Sequence, residues 1–201
     1  MEASIVPSEL MYGPDLERPH DRYWETNLYP IYRDIVRRVA PSSILEIGVR
    51  FGYSFAVALD ATTTINRAIG IDMGDGVQQY GGQGDAFLQA VSRLSFMQET
   101  RWPHVEMEFY NQDTQKTAYL PFYGKVDLAY IDGDHSPEGC LHDLMLTLPK
   151  VTRGGSIVVD DIDHHPELRQ PVMRFADYHD LKVEYLPDAS HRGRFLLTLK
   201  G

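Results

Sequence analysis

The chain has 201 residues, a length that suits one domain with a substantial core. Its net charge is −10 at pH 7 and no cluster of Lys and Arg is longer than Arg37-Arg38, which argues against a nucleic-acid partner. No apolar run approaches the length of about 20 residues that spans a bilayer, so no membrane partner is expected. The N-terminus lacks a signal-peptide pattern and Cys140 is the single cysteine, which together favour a cytoplasmic location.

The first forty residues precede the first predicted strand and are rich in aromatic side chains. Apolar positions at helical spacing predict a helix from Leu28 to Val39, with Asn27 as its candidate N-cap. We therefore separate an N-terminal helical or lid segment, residues 1–40, from a main domain over residues 41–201. The aromatic residues of the N-terminal segment either line a substrate pocket as a lid or pack the helix on the core. They include Tyr12, Tyr23, Trp24 and Tyr29.

Short apolar segments alternate with helical patterns through the rest of the chain. The predicted strands are 43–48, 68–72, 105–110, 126–132, 156–161, 181–186 and 194–200. The predicted helices of this part are 54–59, 84–99, 139–148 and about 166–178. Strands that alternate with helices indicate crossover connections and a parallel sheet. The sequence therefore predicts an α/β fold, a Rossmann-like, doubly wound, mostly parallel seven-stranded sheet with one antiparallel strand near the C-terminus.

Acidic residues lie where the predicted strands end. In doubly wound folds, ligands bind beyond the carboxyl ends of the strands. A single acid there would mean little, because acids also cap helices. A series along one edge of one sheet favours a shared site, and the series is Glu46, Asp72, Asp113, Asp132, Asp160 and Asp161.

The segment LEIGVRFGYSF, residues 45–55, predicts a strand, a turn with two glycines and the start of a helix. Gly48 and Gly52 do not form the G-x-G-x-x-G fingerprint of dinucleotide sites, and Arg50 stands where that fingerprint has its second glycine. A bulky side chain at that position would hinder a pyrophosphate, which argues against NAD. Asp72 ends the second strand, where a carboxylate is placed to accept both hydroxyls of a ribose.

These features resemble the class I S-adenosyl-L-methionine (SAM)-dependent methyltransferases from about Ser42 to the C-terminus. The matching motifs are EIGVRFG at 46–52, GIDMG at 70–74, NQD at 111–113, YIDGDH at 130–135 and RGGSIVVDD at 153–161. The resemblance implies that Asp72 holds the ribose, that Asp113 lies by the adenine and that Glu46 supports the glycine loop. The full set of implied SAM contacts is Glu46, Gly48, Gly52, Ser54, Asp72, Asp113 and Asp132.

Two acidic segments, YIDGDHS at 130–136 and VVDD at 158–161, end strands that should be neighbours. Unpaired carboxylates would repel one another there, and a divalent cation such as Mg²⁺ would remove that cost. The alternative is that Asp160 or Asp161 caps the next helix while Asp132 accepts hydrogen bonds from loop amides.

The layout is similar to that of metal-dependent O-methyltransferases that act on sugar hydroxyls of macrolide or aminocoumarin antibiotics. That resemblance implies Mg²⁺ ligands at Asp132, Asp160 and Asp161, and a catalytic base at Asp134 or His135. His135 is favoured, because a neutral imidazole accepts a proton near pH 7 without adding a carboxylate beside the metal.

The sequence thus predicts a SAM-dependent, Mg²⁺-dependent O-methyltransferase for a small-molecule hydroxyl of secondary metabolism, as in antibiotic biosynthesis. One alternative is a metal-independent methyltransferase in which Asp134 and His135 act alone. Another is a protein that binds the cofactor without transferring its methyl group, as a cyclase or a scaffold. The short N-terminal segment leaves open a homo-oligomer in which a second subunit completes the acceptor pocket. The glycine-rich loop 74–85 is a further candidate lid.

Overall fold

The computed structural model describes residues 29–74, 86–187 and 192–201. Its strands are β1 (Ser43–Ile47), β2 (Arg67–Asp72), β3 (Glu106–Asn111), β4 (Val126–Ile131), β5 (Val151–Val159), β6 (Lys182–Leu186) and β7 (Arg194–Thr198). Its helices are α1 (Pro30–Val39), α2 (Tyr53–Ala61), α3 (Ala86–Arg101), α4 (Pro137–Thr147) and α5 (Arg169–Tyr178). None of the helices in these described ranges is long and apolar enough to cross a bilayer.

The seven strands form one sheet in the order β3-β2-β1-β4-β5-β7-β6. β7 runs antiparallel to both of its neighbours, and every other neighbouring pair is parallel. The predicted Rossmann-like fold with one antiparallel strand near the C-terminus is confirmed. The strand order reverses at β1 and β4, and the crevice beyond their carboxyl ends is where such folds bind ligands.

Several element boundaries differ from the sequence prediction, among them the starts of α1 and β5. α1 begins at Pro30 with Tyr29 at its N-cap, because proline has a helical φ and no N–H that the first turn would leave unpaired. The candidate cap Asn27 lies outside the described residues, as does Leu28. β5 begins at Val151, well before residue 156, because Val151 already pairs with Val126 of β4; the register then shifts, so that Ser156 pairs with Leu128.

The core lies on both faces of the sheet. On one face, Tyr32, Ile35 and Val36 of α1 pack in the same cluster as α2 and as Leu128 and Tyr130 of β4. On the other face, α4 and α5 cover the remaining strand side chains. α1 therefore packs on the core. Tyr12, Tyr23, Trp24 and loop residues 75–85 lie outside the described residues, so the lid and the domain boundary at residue 40 stay predictions.

A single carboxylate, that of Asp127 near the start of β4, connects three strands at the amino edge of the sheet. It accepts hydrogen bonds from the N–H of Ser42 (2.9 Å) and of Ser43 (3.2 Å) before and within β1. It also accepts one from the hydroxyl of Thr152 in β5 (3.0 Å). Burial raises the pKa of Asp127, but these hydrogen bonds outweigh it and leave the pKa below its usual value. The amino ends of β1 and β5 are thereby tied to β4.

Candidate active site

The loop between β1 and α2 passes directly beside the end of β4. Gly48 has a φ of 92°, and a Cβ added there would overlap the backbone carbonyl of Asp132. Gly52 has a φ of 78°, and its added Cβ would lie 2.9 Å from Cδ1 of Leu94 in α3. Gly48 is thus required by close packing as well as by backbone conformation, and Gly52 by its backbone conformation. The predicted cofactor loop and the predicted catalytic strand end are in direct contact.

Asp72 is fixed at the end of β2 by two backbone amides. Its Oδ2 accepts the N–H of Arg50 at 2.7 Å and its Oδ1 accepts the N–H of Gly74 at 2.8 Å. An ionised carboxylate has about four lone-pair sites, so both oxygens can accept a further hydrogen bond each. The geometry suits a pair of ribose hydroxyls. The backbone role of Arg50 has no sequence signal, because any residue except proline offers that amide.

Glu46 lies beneath the glycine loop, fully buried at 0% exposure. Its Oε1 accepts the hydroxyl of Ser54 at 2.7 Å. Its Oε2 has no hydrogen-bond partner among the residues that the structure describes. Burial raises the pKa of Glu46 well above its usual value; the Ser54 bond opposes this and the charges of Asp132 and Asp72 add to it. Ser54, a predicted cofactor contact, uses its hydroxyl on Glu46, so the two form one support under the loop.

Asp113 follows β3 and caps a short 3₁₀ turn, Thr114–Lys116. Its side chain accepts the N–H of Gln115 at 3.0 Å and forms an ion pair of 2.8 Å with Lys116. The Lys116 hydrogen bond is the main reason that the pKa of Asp113 is lowered. Contact of Asp113 with an adenine stays a prediction.

His135 lies between two of the predicted metal ligands. Its Nε2 is 3.2 Å from Oδ1 of Asp132 and 3.4 Å from Oδ2 of Asp161. Burial lowers the pKa of His135, but the hydrogen bond and charge of Asp132, with the charge of Asp161, outweigh it and leave the pKa raised. Three sequence-predicted groups therefore meet at one point of the carboxyl edge.

Asp160, the third predicted metal ligand, points into the core. It is 2% exposed, and its Oδ1 lies 2.8 Å from Nε of Arg194, which is fully buried at 0% exposure. The hydroxyl of Tyr130 donates to its other oxygen. Both aspartates follow the end of β5 at Val159, and Asp160 is directed at Arg194 while Asp161 lies beside His135.

Asp161 has a left-handed backbone, with a φ of 57°. Its Oδ1 lies 3.3 Å from Nη1 of Arg192. Burial, followed by the charges of Asp160 and Asp132, raises the pKa of Asp161 to about 7, although Arg192 and His135 oppose the shift. The two adjacent aspartates therefore have different partners, and coordination of one ion by Asp132, Asp160 and Asp161 stays a prediction.

Asp134 shapes the start of α4. Its Oδ1 accepts the N–H of Ser136 at 2.8 Å, and Ser136 in turn caps the helix by accepting the N–H of Gly139 at 3.0 Å. A Cβ at Gly139 would overlap the Asp134 carboxylate, so the two pack tightly. Of the two predicted bases, His135 is the one that reaches the Asp132 and Asp161 carboxylates.

His165 and Arg192 were not among the sequence-predicted site residues, and Tyr29 was predicted as either a pocket-lining or a core aromatic. The ring of His165 stacks on that of His135, with centroids 4.6 Å apart and planes 18° from parallel. Arg192 pairs with Asp161, and the pKa of the Tyr29 hydroxyl is raised by burial and then by the charge of Asp132. Tyr29 therefore lies near the cleft. The histidine pair that follows VVDDID was the available signal for His165. Arg192 lies just before β7 and is distant from Asp161 in the sequence.

These features define a Rossmann-like α/β protein with a polar cleft at its switch point, where a glycine loop meets a histidine and two carboxylates. The sequence profile of a family described as a methyltransferase domain matches residues 45–162, more than half of the chain. The chain belongs to this methyltransferase family. A search of curated proteins gave no match.

Solved structures share the fold at low sequence identity. The O-methyltransferase TomG from Streptomyces achromogenes, involved in tomaymycin synthesis and in complex with SAM, has a TM-score of 0.58 and 18% identity over 85% of this chain and 78% of its own. The O-methyltransferase from Bacillus cereus in complex with SAH has a TM-score of 0.59 and 15% identity over 87% and 83%. An rRNA methylase from Streptococcus thermophilus has a TM-score of 0.61 and 12% identity over 85% and 95%. Such different acceptors on one fold mean that the fold does not select the acceptor.

Proposed function

We propose that this protein is a SAM-dependent O-methyltransferase that acts on a hydroxyl of a small-molecule acceptor of secondary metabolism. The observation that carries the proposal is the contact between Gly48 of the loop and the backbone of Asp132. A cofactor held on that loop lies next to the cluster of His135, Asp132 and Asp161. Membership of a methyltransferase family and the SAM- and SAH-bound O-methyltransferases of the same fold support this choice.

In this proposal the cofactor lies along the carboxyl ends of β1 and β2. Asp72, held by two amides, accepts the ribose hydroxyls, and the loop from Gly48 to Gly52 lies against the methionine part. Glu46 and Ser54 support the loop from below. Asp113 is placed beside the adenine, as the family resemblance implies.

The acceptor hydroxyl is placed at His135. The oxygen attacks the methyl carbon of the sulfonium, a new O–C bond forms as the C–S bond breaks, and the hydroxyl proton passes to the imidazole. Asp132 and Asp161 hold the ring at 3.2 and 3.4 Å and balance the charge that it gains. A positioned base of this kind contributes about 10²–10⁴-fold to a rate.

The three-aspartate Mg²⁺ site fits this structure poorly, and no step of the proposal uses it. Both oxygens of Asp160 already have partners in the core, one at Arg194, a buried guanidinium, and the other at the hydroxyl of Tyr130. Of the three predicted Mg²⁺ ligands, only Asp132 and Asp161 lie at the cleft.

The test uses purified protein, SAM and a panel of small phenols, sugars and glycosides, with SAH formation as the readout. We expect His135→Ala to leave the Kd for SAM unchanged and to lower kcat by about 10²–10⁴-fold. Asp72→Ala should weaken SAM binding, and His164→Ala, at an exposed neighbouring position, should change neither value. Tight SAM binding with no acceptor methylated, or turnover that His135→Ala leaves intact, would support the non-methylating scaffold or cyclase instead.

A further inference from the structure

We propose that Asp143 is a positioning residue for His135, and that Gln115 links it to the turn that follows Asp113. Asp143 lies beneath the β4–α4 loop, residues 132–136, which carries His135. The role of His135 as a base rests on the proposed function, whereas the support of the loop rests on contacts within the protein.

The Asp143 carboxylate holds the β4–α4 loop from below. Asp143 belongs to α4 and is buried at 0% exposure. Its carboxylate accepts a hydrogen bond from the backbone N–H of Asp134. A Cβ added to Gly133 would lie 2.8 Å from Oδ2 of Asp143, so the loop backbone already packs closely on this oxygen. The two residues directly before His135 are therefore both in contact with one buried side chain.

Gln115 fixes this carboxylate from the side of the predicted cofactor site. Its Nε2 donates to Oδ1 of Asp143 at 3.0 Å and to the carbonyl of Gly139 at 3.3 Å. Its backbone N–H donates to Oδ1 of Asp113 at 3.0 Å, and Asp113 is the acid predicted to lie by the adenine. One residue thus contacts both the predicted adenine acid and the support of the His135 loop.

A second contact holds α4 against the same turn. Nε2 of His142, the neighbour of Asp143 in α4, lies 3.0 Å from the carbonyl oxygens of both Thr114 and Thr117. Carbonyl oxygens only accept hydrogen bonds, so this nitrogen carries a proton and donates it. The turn and α4 therefore form one support, in which Gln115 and Asp143 keep their distance.

The position of the loop matters because a base must lie within hydrogen-bond reach of the proton that it removes. A displacement of about 1 Å in an active site can lower a rate by about 100-fold. Asp143 is buried beneath the loop and acts on the reaction through His135. Its loss should therefore lower kcat without weakening SAM binding.

The first test follows the loop without any substrate. The exchange rate of the Asp134 amide with deuterated water is measured by NMR, with the amides of β1 as the reference for global opening. We expect Asp143→Ala and Gln115→Ala to raise the Asp134 rate by about tenfold relative to that reference, because each removes a hydrogen bond of the support. Unchanged Asp134 exchange in both variants would overturn the proposal.

The Gln115→Ala variant isolates the link. It keeps the backbone N–H that Asp113 accepts and removes only the side chain that donates to Asp143. Gln115 is exposed, so the substitution leaves the core intact and still decides the question where Asp143→Ala fails to fold. The matched control is Gln170→Ala at an exposed position of α5, which should exchange like the wild type.

The second test measures turnover with an acceptor from the panel described above. We expect Asp143→Ala to lower kcat by about 10–100-fold with the Kd for SAM unchanged. Gln115→Ala should lower kcat by a smaller factor. The combined variant should lose no more than Asp143→Ala alone, because Gln115 acts through Asp143. Losses that multiply in the combined variant would overturn the link through Gln115.

The outcomes separate this proposal from the proposed function. Faster Asp134 exchange in both variants of a protein that binds no SAM and methylates no acceptor would leave the loop support standing and overturn the function. Wild-type kcat in both variants, in a protein that His135→Ala inactivates, would leave the function standing and overturn the positioning role of Asp143.

Discussion

Arg194 is a fully buried guanidinium whose charge is balanced by Asp160, just past the end of the neighbouring strand β5. We predict that Asp160→Ala lowers the free energy of unfolding by about 3–5 kcal/mol, because it leaves that charge without its counter-ion. Guanidinium denaturation measures the effect.

A paired substitution is the control for this effect. Asp160→Leu combined with Arg194→Met removes both charges, and buried ion pairs replaced by apolar residues often lose little stability. The double variant should therefore lose much less than the sum of its single changes. If the Asp160→Ala protein were as stable as the wild type but had lost metal binding, Asp160 would be a metal ligand in the cleft and not the counter-ion of Arg194.

Asp143 in α4 is a buried carboxyl at 0% exposure that accepts a hydrogen bond from Gln115 at 3.0 Å. Burial raises its pKa to about 6, helped by the charge of Asp134 and opposed by hydrogen bonds from Thr114 and the Asp134 backbone. A raised pKa in the fold means that the protonated form is preferred. Its contribution to stability is therefore complete below the unfolded pKa and is lost as the pH rises through about 6.

Asp143→Asn keeps a neutral side chain at every pH. We predict that the variant gains stability relative to the wild type as the pH rises from about 4 to about 7, by up to about 3 kcal/mol. Unfolding free energies at several pH values measure the difference between the two proteins. Asp34→Asn, at an exposed position, is the control, and an Asp143→Asn difference that does not change with pH would contradict the prediction.

At the scale of elements, the β1–α2 loop depends on the absence of a side chain at Gly48. Gly48 and Gly154 both have a positive φ, of 92° and 75°. A Cβ at Gly154 would meet nothing closer than 3.9 Å, whereas at Gly48 it would overlap the Asp132 backbone. We predict that Gly154→Ala costs about 1–2 kcal/mol from backbone strain alone. Gly48→Ala should cost more and should also weaken SAM binding, as calorimetry will show; equal effects of the two changes would contradict this explanation.

The elements that sequence patterns predicted best are those whose signals are local. The alternation of strands and helices predicted the sheet. The position of Asp132 and Asp161 at the ends of neighbouring strands predicted that both lie at one site, where each is close to His135. The partner of Asp160 could not be foreseen, because Arg194 lies on β7 and its antiparallel pairing with β5 depends on the whole sheet. Likewise, the glycines at 154–155 suggest a turn locally, but β5 begins before them at Val151, and the register of β4 with β5 shifts around them.

At the scale of the whole molecule, a ligand that binds only the folded state raises its stability. SAM at about 100 times its Kd adds about 2.7 kcal/mol, which for a chain of this size shifts Tm by roughly 5–10 °C. We predict such a shift with SAM and with SAH in thermal unfolding. NAD should give none, because Arg50 occupies the position of the second fingerprint glycine. A shift with NAD alone would favour a nicotinamide-linked enzyme.

The Asp127 carboxylate lies at the amino edge of the sheet, a strand length of about 17 Å from the cleft. Its lowered pKa gives a contribution to stability that is present above the unfolded pKa and is lost as the pH falls through the folded value. Asp143 has the opposite pH dependence. Acid should therefore loosen the amino edge of the sheet, where β1 and β5 share one carboxylate. The strand ends that carry the cleft would then also lose the support of β1 and β5 at the opposite edge of the sheet.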